Sequence, residues 1–366
     1  MIGPGLPVPV PKAVIDAIQS VQVTSGKDKS GFQITFAVSK NSVLLRTMLP
    51  AGYFDPMISR VIIAVTMGGM PNVLMDGIVT RQELSPSSEP GQSTLTITGE
   101  DLSVLMDVVE MPFMRYPGMP VITRVYAILA KYAALGVVPI GIPPFINDVP
   151  MPTNKIPAQK GTDLQYLKRL ASDSGYVFYV EPGPLPGQSI GYWGPDIRLP
   201  IPQRALGVNM DAHTNVESLS FSLDGLAKKI RIYTILDPAF RRVPIPVPVP
   251  NINLLKPPLG ARLTPPARVE IATEGSAIFP DKAAEKILGS LMSSPTAISG
   301  QGALDVLRYG RLLRARMLVG VRGAGPAYDG LYYVDSVTHN IKHGEYKQNF
   351  TLSRDGLISL TPRLPV

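Results

Sequence analysis

The sequence predicts an α+β protein that is mainly β, with two small antiparallel β-barrel-like domains on either side of an α/β insertion. Composition is the first observation behind this prediction. The 366 residues include 38 prolines and 33 glycines but only 17% charged residues, which favours many short strands joined by turns. The second observation is period-2 alternation in short segments near both ends of the chain. The third is a weak internal repeat that relates those two ends.

A chain of this length is larger than most single domains, and changes of pattern along it predict three. We place a first β-barrel-like domain at residues 1–108, a middle α/β domain at 109–210 and a second β-barrel-like domain at 211–366. The last domain is predicted to carry a proline-rich arm at 243–266 and a helical insertion at 281–311.

The first domain begins with a proline-rich lead and a short helical pattern. Phe32, Ile34 and Phe36 then alternate with Gln33 and Thr35, which is the period of a half-buried strand. Turn residues separate further segments of this kind, and a short helix closes the domain. The predicted strands are 21–24, 31–38, 60–67, 73–80 and 93–98, and the predicted helix is 101–109.

The middle domain contains a helix over 121–135 and then a helix-turn-strand unit at 160–181. In that unit, either Thr162 or Asp163 can cap the helix by accepting bonds from its first free N–H groups. Gly175 is placed to end the helix, and a strand rich in aromatic and β-branched residues follows. The apolar stripe of the helix consists of Leu164, Leu167, Leu170 and Ala171.

The last domain starts with two strand patterns, 216–223 and 227–236, which Asp224 and Gly225 would join as a hairpin. The proline-dense arm is predicted to be extended and without internal hydrogen bonds, as a structural arm or, alternatively, a proline-rich ligand. Helices are predicted at 281–292 and 303–311. The closing strands are predicted at 313–322, 331–340 and 346–353.

The internal repeat matches Asp76 and Gly77 with Asp329 and Gly330, each pair lying in a strand-turn-strand-helix order. A duplication explains that shared order. The alternative is that two antiparallel hairpins share period-2 patterning by chance.

Few residues offer catalytic or metal-binding chemistry. The chain has no cysteine, which excludes disulfides and thiolate sites, and its three histidines are His213, His339 and His343. His339 and His343 fall at a strand end and a turn, so we interpret them as surface turn residues rather than metal ligands. No zinc-protease, nucleophile-elbow or phosphate-loop motif is present.

Two further groups of side chains have an alternative functional interpretation. Glu83 with Glu100 and Asp101 could form the carboxylate pair of a glycoside hydrolase, although their position on a repeated hairpin edge favours an architectural role. Met111, Met114 and Met119 are interpreted as core or interface residues rather than a metal site.

The chain carries a net charge of +7 and a pI near 9.4. Its lysines and arginines are scattered, with small clusters at 228–231, 241–242 and 308–316. We interpret most of them as solvated or interface charges, ahead of nucleic-acid recognition. The N-terminus lacks the pattern of a signal peptide, and the apolar run at 132–146 is too short and too interrupted by proline to span a bilayer.

The segment GTDLQYLKRLA…GYVFYV resembles the middle domain of the late control D / VgrG-like baseplate hub family. These proteins lie at the tip of contractile phage tails and related contractile injection systems. The order of a barrel-like unit, a helix and strand, and a second barrel-like unit resembles the plan of that family over most of the chain. The residues that carry the motif are Gly161, Asp163, Leu164, Leu167, Leu170, Ala171, Gly175 and Tyr176.

The resemblance implies a structural protein without catalytic activity or cofactor. It implies a homotrimer in which three copies of two similar barrels form six similar units, joining a six-fold tail tube to a three-fold spike. The chain ends soon after the second predicted barrel, so the spike is expected to be a separate protein. The tail tube or tube-initiator protein is another expected partner, and contact with the tape measure protein is compatible with this plan.

The expected location is an assembled particle, either a phage tail or an injection-system baseplate. Two alternatives remain at this point. One is a cell-wall hydrolase that acts during tail entry, and the other is a hub of a non-contractile phage tail.

Overall fold

The structure is a computed structural model that describes residues 1–4, 7–26, 30–89, 92–145, 156–196, 202–236, 244–249, 258–271, 287, 289–291 and 295–361. The protein is mainly β, with short helices and sheets whose pairings are mostly antiparallel, so the coarse fold prediction is confirmed. No closed barrel is formed by the strands in these ranges; the largest sheet is open and has twelve strands.

The N-terminal part supplies six strands of the large sheet, in the order β1-β4-β5-β6-β3-β2. Val14 of the first short helix and Leu44 of the second are buried in the core of this part. The strands are β1 (Ile2–Pro4), β2 (Ile18–Ser25), β3 (Ser30–Ala37), β4 (Ser59–Met67), β5 (Met70–Ser85) and β6 (Thr94–Asp101), and the helices are α1 (Lys12–Asp16), a π-helix (Leu44–Met48) and a 3-10 helix (Leu102–Asp107).

The middle part is a three-stranded sheet, in the order β7-β9-β8, with two helices. The helix predicted at 121–135 is an α-helix that continues as a 3-10 helix, and Gly136 follows it with a positive φ of 81°. The elements are α2 (Val121–Leu129), a 3-10 helix (Ala130–Leu135), β7 (Val137–Gly141), α3 (Asp163–Asp173), β8 (Val177–Pro182) and β9 (Ser189–Gly194).

The C-terminal part contributes the remaining six strands of the large sheet and two small sheets, in the orders β13-β12-β15 and β14-β20. Its elements are β10 (Gln203–Gly207), a 3-10 helix (Asp211–His213), β11 (Ser218–Leu223), β12 (Lys229–Leu236), β13 (Pro244–Val249), β14 (Gly260–Arg262), β15 (Arg268–Ile271), β16 (Ile298–Asp305), α4 (Val306–Tyr309), β17 (Leu318–Arg322), β18 (Gly330–Lys342), β19 (Glu345–Arg354) and β20 (Leu357–Ser359).

The two ends of the chain repeat the same strand order. The N-terminal strands follow β4-β5-β6-β3-β2, and the C-terminal strands follow β17-β18-β19-β16-β11, with every neighbouring pair antiparallel. The two sets then join, because β2 pairs antiparallel with β18. A shared order over five strands is far more specific than shared alternation in one hairpin, and it favours the duplication over chance.

A β-bulge occurs at the same place in both repeats. The register of β5 on β6 shifts at Thr80, and the register of β18 on β19 shifts at Asp335. Asp76 lies inside β5, opposite Ile62, whereas Asp329 precedes β18. Aligning the two bulges therefore shifts β5 against β18 by two residues from the alignment that matches Asp76 with Asp329. The match of Asp76 with Asp329 stays a prediction.

The buried apolar side chains form three clusters. One lies in the N-terminal half of the large sheet around Phe36 and Phe54, and another in the C-terminal half around Tyr332 and Phe350. The third lies in the middle part around Trp193. It also includes Ile78 of β5 and two residues of the 3-10 helix after β6, Leu102 and Met106. The predicted domain boundaries remain predictions, since a core cluster does not define where a domain ends.

The hairpin predicted at Asp224 and Gly225 is wrong. β11 pairs with β16, whereas β12 pairs with β13 and β15. The Asp224 carboxylate accepts from the N–H of Leu226 at 2.8 Å, which turns the chain locally. Asp224 therefore forms the local turn that its sequence predicts. The partners of β11 and β12, however, are strands from more distant parts of the sequence.

The helix predicted at 303–311 is confirmed only over a single turn, Val306–Tyr309, and residues 303–305 belong to a strand. β16 runs to Asp305, whose side chain accepts from the N–H of Arg308 and caps the single-turn helix α4. Gly310, with a positive φ of 75°, ends that turn. Most of the helix predicted at 281–292 lies outside the described residues, although residues 287 and 289–291 are helical.

Residues 243 and 250–257 of the predicted proline-rich arm lie outside the described residues. The part at Pro244–Val249 is a paired strand rather than a segment without hydrogen bonds. It forms β13 at the edge of its sheet, antiparallel to β12. The sequence PIPVPV alternates proline with residues that keep an N–H group. Alternate N–H groups of a strand point to the same side, so the backbone N–H groups of Ile245, Val247 and Val249 can all face β12.

Candidate functional site

The helix-turn-strand unit that carries the motif is fixed at both ends of α3. The Thr162 hydroxyl accepts from the N–H of Gln165 at 3.3 Å, so Thr162 is the N-cap. Gly161 and Gly175 have positive φ values of 79° and 68°, which a residue with a side chain adopts at a cost. After the helix, the N–H of Tyr176 donates to the carbonyl of Ala171 at 2.7 Å, and β8 begins at the next residue.

Asp163 is the polar centre of this unit, with 3% of its surface exposed. Its carboxylate accepts from the Tyr132 hydroxyl at 2.8 Å and the Gln159 amide at 2.7 Å, and it lies 2.6 Å from the Lys131 ammonium. Burial and the bond to Asp163 raise the pKa of Tyr132, which therefore stays a neutral donor. Asp163 thus ties the start of α3 to the helix after α2 and to the preceding loop.

The remaining motif residues form the core of the middle part. Leu164 packs partly buried at the edge of this core, and the Trp193 indole N–H donates to the carbonyl of Leu167 at 3.3 Å. Tyr176 meets the Trp193 ring edge to face at 5.1 Å. The predicted motif therefore positions a helix on a sheet and presents no free catalytic group. The buried residues of the set are Asp163, Leu167, Leu170, Ala171 and Tyr176.

Arg316 forms a junction between all three parts of the chain. Its guanidinium carbon lies 3.9 Å from the centroid of the Tyr179 ring, and Nη1 lies 3.4 Å from the Glu181 carboxylate. Nη2 donates to the carbonyl of Gly26 at 2.5 Å. Sequence patterns did not reveal this junction, because its members are far apart in the chain and each resembles an ordinary surface residue.

Two carboxylates surround Arg316. Burial raises the pKa of the Asp101 carboxyl, and bonds from Ser103 and the charge of Arg316 partly oppose that effect. Burial also raises the pKa of Glu181, again opposed by Arg316. A cavity lined in part by Asp101 and Arg316 has a volume of about 10 Å³. This is room for roughly one water molecule and far smaller than a substrate pocket.

A second buried junction connects the N-terminal and middle parts. Arg60 and Asp76 form a bidentate pair with N–O distances of 2.7 and 2.6 Å, and both side chains are almost fully buried. The Ser189 hydroxyl donates to the Asp76 carboxylate at 3.2 Å, and Arg60 donates to the carbonyl of Gly187 at 3.3 Å. Asp76 was singled out by the repeat, but its structural role is to join these two parts. Its predicted counterpart Asp329 instead accepts from the N–H of Ala324 at 2.8 Å.

The backbone positions of the candidate carboxylate pair lie far apart. Glu83 lies opposite Thr96 in the sheet, and Glu100 lies four residues further along β6, roughly 13 Å away at the rise of a strand. Paired catalytic carboxyl groups lie about 5 to 9.5 Å apart. Asp101 is buried and accepts from the N–H of Ser103 at 2.8 Å as a helix cap.

The interpretation of His339 as a surface turn residue is wrong. Its ring is buried in β18, where Nδ1 lies 2.8 Å from the Tyr346 hydroxyl and 3.3 Å from the Gln348 amide. Burial and the nearby charge of Arg314 lower its pKa to about 4, so the ring is neutral at pH 7. His343 lies exposed in the following turn, as predicted.

Packing and ion pairs explain most of the remaining candidates. Met119 packs against the middle core, whereas Met114 is exposed. Lys228 pairs with Asp355 at 2.5 Å, and Lys229 and Arg231 pair with Glu270. Over the described ranges, no group of three or more acidic or histidine side chains is placed to hold a metal ion. Residues 241–242 lie outside the described residues.

Comparison with solved structures places the fold among phage tail proteins. The 43 kDa tail protein of prophage MuSo2 from Shewanella oneidensis matches with a TM-score of 0.60 at 14% identity, covering 92% of this chain and 94% of that chain. A tail protein from Neisseria meningitidis MC58 matches with a TM-score of 0.58 at 15% identity, covering 92% of each. Neither a protein-family model nor a curated protein sequence matches the chain.

A chain of the half-lidded Francisella PdpA–VgrG complex also matches, with a TM-score of 0.57 at 8% identity. The match covers 96% of this chain but 56% of that chain, so the present chain spans little more than half of it. At such identities the comparisons establish a shared fold, and the predicted resemblance to VgrG-like tail hubs is confirmed at that level. In the parts that the structure describes, no helix is long and apolar enough to cross a membrane.

Proposed function

We propose that this protein is a structural baseplate hub, a homotrimeric adaptor between a six-fold tail tube and a three-fold spike. The observation that carries the proposal is the repeated strand order of the large sheet. Each half of that sheet corresponds in this proposal to one barrel-like unit, and three copies supply six similar units. A ring of six such units can match a six-fold tube on one face while keeping three-fold symmetry for the spike.

The buried junctions support a mechanical role. Arg316 connects the three parts of the chain, and the pair of Arg60 and Asp76 connects two of them. Charges that are buried and bonded across parts resist relative movement, because separating them leaves an unpaired charge in a dry environment. A rigid subunit of this kind suits a protein that transmits load and does not need a substrate pocket.

The proposed partners are a separate spike protein, the tail tube or tube-initiator protein, and the tape measure protein. The proposed location is the assembled tail tip or injection-system baseplate. A cell-wall hydrolase is less well supported, since the backbones of Glu83 and Glu100 are roughly 13 Å apart along their strands and Asp101 is buried as a helix cap.

The test is native mass spectrometry of the purified chain, alone and mixed with the spike protein encoded beside it. Three copies of 39.4 kDa give a trimer of about 118 kDa, and a larger complex with the spike is expected. A chain that stays monomeric in both samples would remove the basis of the proposal. A peptidoglycan-release assay on the same preparation checks the hydrolase alternative, and release that is lost in Glu100→Gln would favour it.

A further inference from the structure

The contact between the two halves of the large sheet is a strand-edge pairing. Residues Ser20–Ser25 of β2 pair with Val337–Lys342, the C-terminal half of β18. The N-terminal half of β18 pairs with β17. The long strand β18 therefore pairs with two different strands along one edge. Its N-terminal half pairs with β17 of its own half of the sheet, and its C-terminal half pairs with β2 of the other half.

The repeat defines a counterpart for each member of this contact. Relative to the shared bulge, Val337–Lys342 of β18 corresponds to residues 82–87, which begin in the C-terminal part of β5. From the bulge, the facing residues can be followed from strand to strand in both halves. Thr98 of β6 corresponds to Thr351 of β19, Gln33 of β3 to Gln301 of β16, and Gln22 of β2 to Ser220 of β11. By this match, Ser20–Ser25 corresponds to Ser218–Leu223, which is the whole of β11.

Both counterparts have an unpaired edge within the described residues. β11 is the last strand at its end of the large sheet and pairs with β16 alone. β5 pairs with β4 only as far as Ile78, so residues 81–85 pair with β6 alone. Each copy of the chain thus carries one edge that corresponds to β2 and one that corresponds to β18. No described strand of the same chain pairs with either edge.

The edge of β11 lacks the features that prevent strands from pairing with other chains. Its sequence SLSFSL has no charge and no proline over six residues. Other edges carry such features: β13 alternates with proline, β1 has three residues, and β15 carries an arginine and a glutamate. The edge at 81–85 carries Arg81 and Glu83, so a partner strand there has to supply matching polar groups. An uncharged edge without proline is a ready template for pairing with another strand.

We propose that residues 220–223 of β11 in one copy pair antiparallel with residues 82–85 of the next copy, repeating between chains part of the contact that β2 makes with β18 within a chain. Pro86, which has no N–H group, ends this stretch. The inference rests on the proposed homotrimer and names its interface. Because one edge meets a different edge on the neighbour, the contact is head-to-tail and closes into a ring. Backbone hydrogen bonds of the added ladder supply the contact, and the flanking side chains supply the register.

The register follows from the contact inside the chain. There, Thr24 lies opposite Thr338, with their hydroxyl oxygens 3.2 Å apart. The matching pair between copies is Ser222 and Glu83. The same register places Asp224 opposite Arg81 of the neighbour, and opposite charges at facing positions stabilise an antiparallel pair.

The experiment is disulfide cross-linking of the full-length chain, which has no natural cysteine. The variant Ser222→Cys/Glu83→Cys places two thiols at facing positions, where antiparallel Cα atoms lie about 4.5 to 5.5 Å apart, within the range of a disulfide. Six strands separate β5 from β11 in the sheet, so the bond would join different copies. On mild oxidation we expect covalent species of two and three chains on a denaturing gel.

Two controls accompany this variant. Thr24→Cys/Thr338→Cys should form a disulfide within one chain, which shows that facing positions oxidise under these conditions. Ser222→Cys/Leu84→Cys shifts one partner by a single residue to the opposite face of the strand and should cross-link far less. The pair Ser220→Cys/Ser85→Cys lies in the same register and repeats the test should the first variant fold poorly.

The outcomes separate this inference from the proposed function. Covalent oligomers in both facing pairs, with little in the shifted control, support the edge pairing. A trimer by native mass whose facing pairs stay unlinked, while the Thr24 and Thr338 control oxidises, keeps the hub but overturns this interface. A wild-type chain that is monomeric with and without the spike overturns both.

Discussion

Thr24 and Thr338 lie 314 residues apart in the chain, yet their hydroxyl oxygens are 3.2 Å apart across the pairing of β2 with β18. Gln22 and Asn340 form a second contact along the same pair of strands, at 3.2 Å. These contacts join the two repeated halves into one sheet. The stability of the fold therefore depends on contacts between residues that are distant in the sequence, and the first predictions concern the groups that make them.

Arg316→Ala should destabilise the protein by about 1 to 3 kcal/mol, because it removes a cation–π contact, an ion pair and a bond to a backbone carbonyl. Urea unfolding followed by tryptophan fluorescence measures the change, since the single tryptophan lies in the middle core. Arg314→Ala is the matched control; its exposed bond to Asn72 should contribute less than about 0.5 kcal/mol. Equal midpoints for the two variants would contradict the role given to Arg316.

Asp76→Ala should cost about 3 to 5 kcal/mol, since it leaves the buried guanidinium of Arg60 without a counter-charge. The double variant Arg60→Met/Asp76→Leu should recover much of that loss, because it removes both charges and fills the space with apolar groups. Thermal unfolding by circular dichroism compares the variants. The control is Glu270→Gln, which breaks exposed ion pairs with Lys229 and Arg231 and should leave stability almost unchanged.

Gly77→Ala should destabilise the sheet by about 1 to 3 kcal/mol. An added Cβ would lie 2.2 Å from the carbonyl oxygen of Glu100 on β6, so the two strands would have to separate. Gly225→Ala is the control, because its Cβ would meet no atom within 4 Å. Melting temperatures that fall equally in both variants would show that the close approach of β5 and β6 at Gly77 is not the cause.

His339 should make the protein less stable as the pH falls from about 6.5 to about 4. Its pKa is lowered to about 4 in the folded protein, so the unfolded chain binds a proton first over this range. The loss is on the order of 3 kcal/mol for a shift of this size. Urea midpoints measured from pH 7 to pH 4 test this expectation.

The control for the pH series is His339→Gln, which keeps a polar side chain but does not titrate. The difference between wild type and variant should shrink as the pH falls. Buried Asp101 and Glu181, whose pKa values are raised, act in the opposite direction in both proteins and cancel in the comparison. A difference that stays constant from pH 7 to pH 4 would refute the prediction.

The sequence by itself determined the elements whose signals are local. Alternation of apolar and polar residues located β3, and the apolar stripe with Gly175 located α3 and its end. The resemblance carried by that helix and strand predicted the fold that the comparisons with tail proteins confirm. These signals are readable because each depends on residues that are neighbours along the chain.

Only the tertiary structure decided which strands pair and which polar groups are buried together. A turn at Asp224 and Gly225 is compatible with a hairpin, but β11 pairs with β16, and its Leu219 and Phe221 pack partly buried against the C-terminal core. His339 reads as a surface residue until β18 is packed between β2 and β19. The physical reason is that burial and pairing depend on the whole sheet, whereas a sequence pattern reports only the neighbours of each residue.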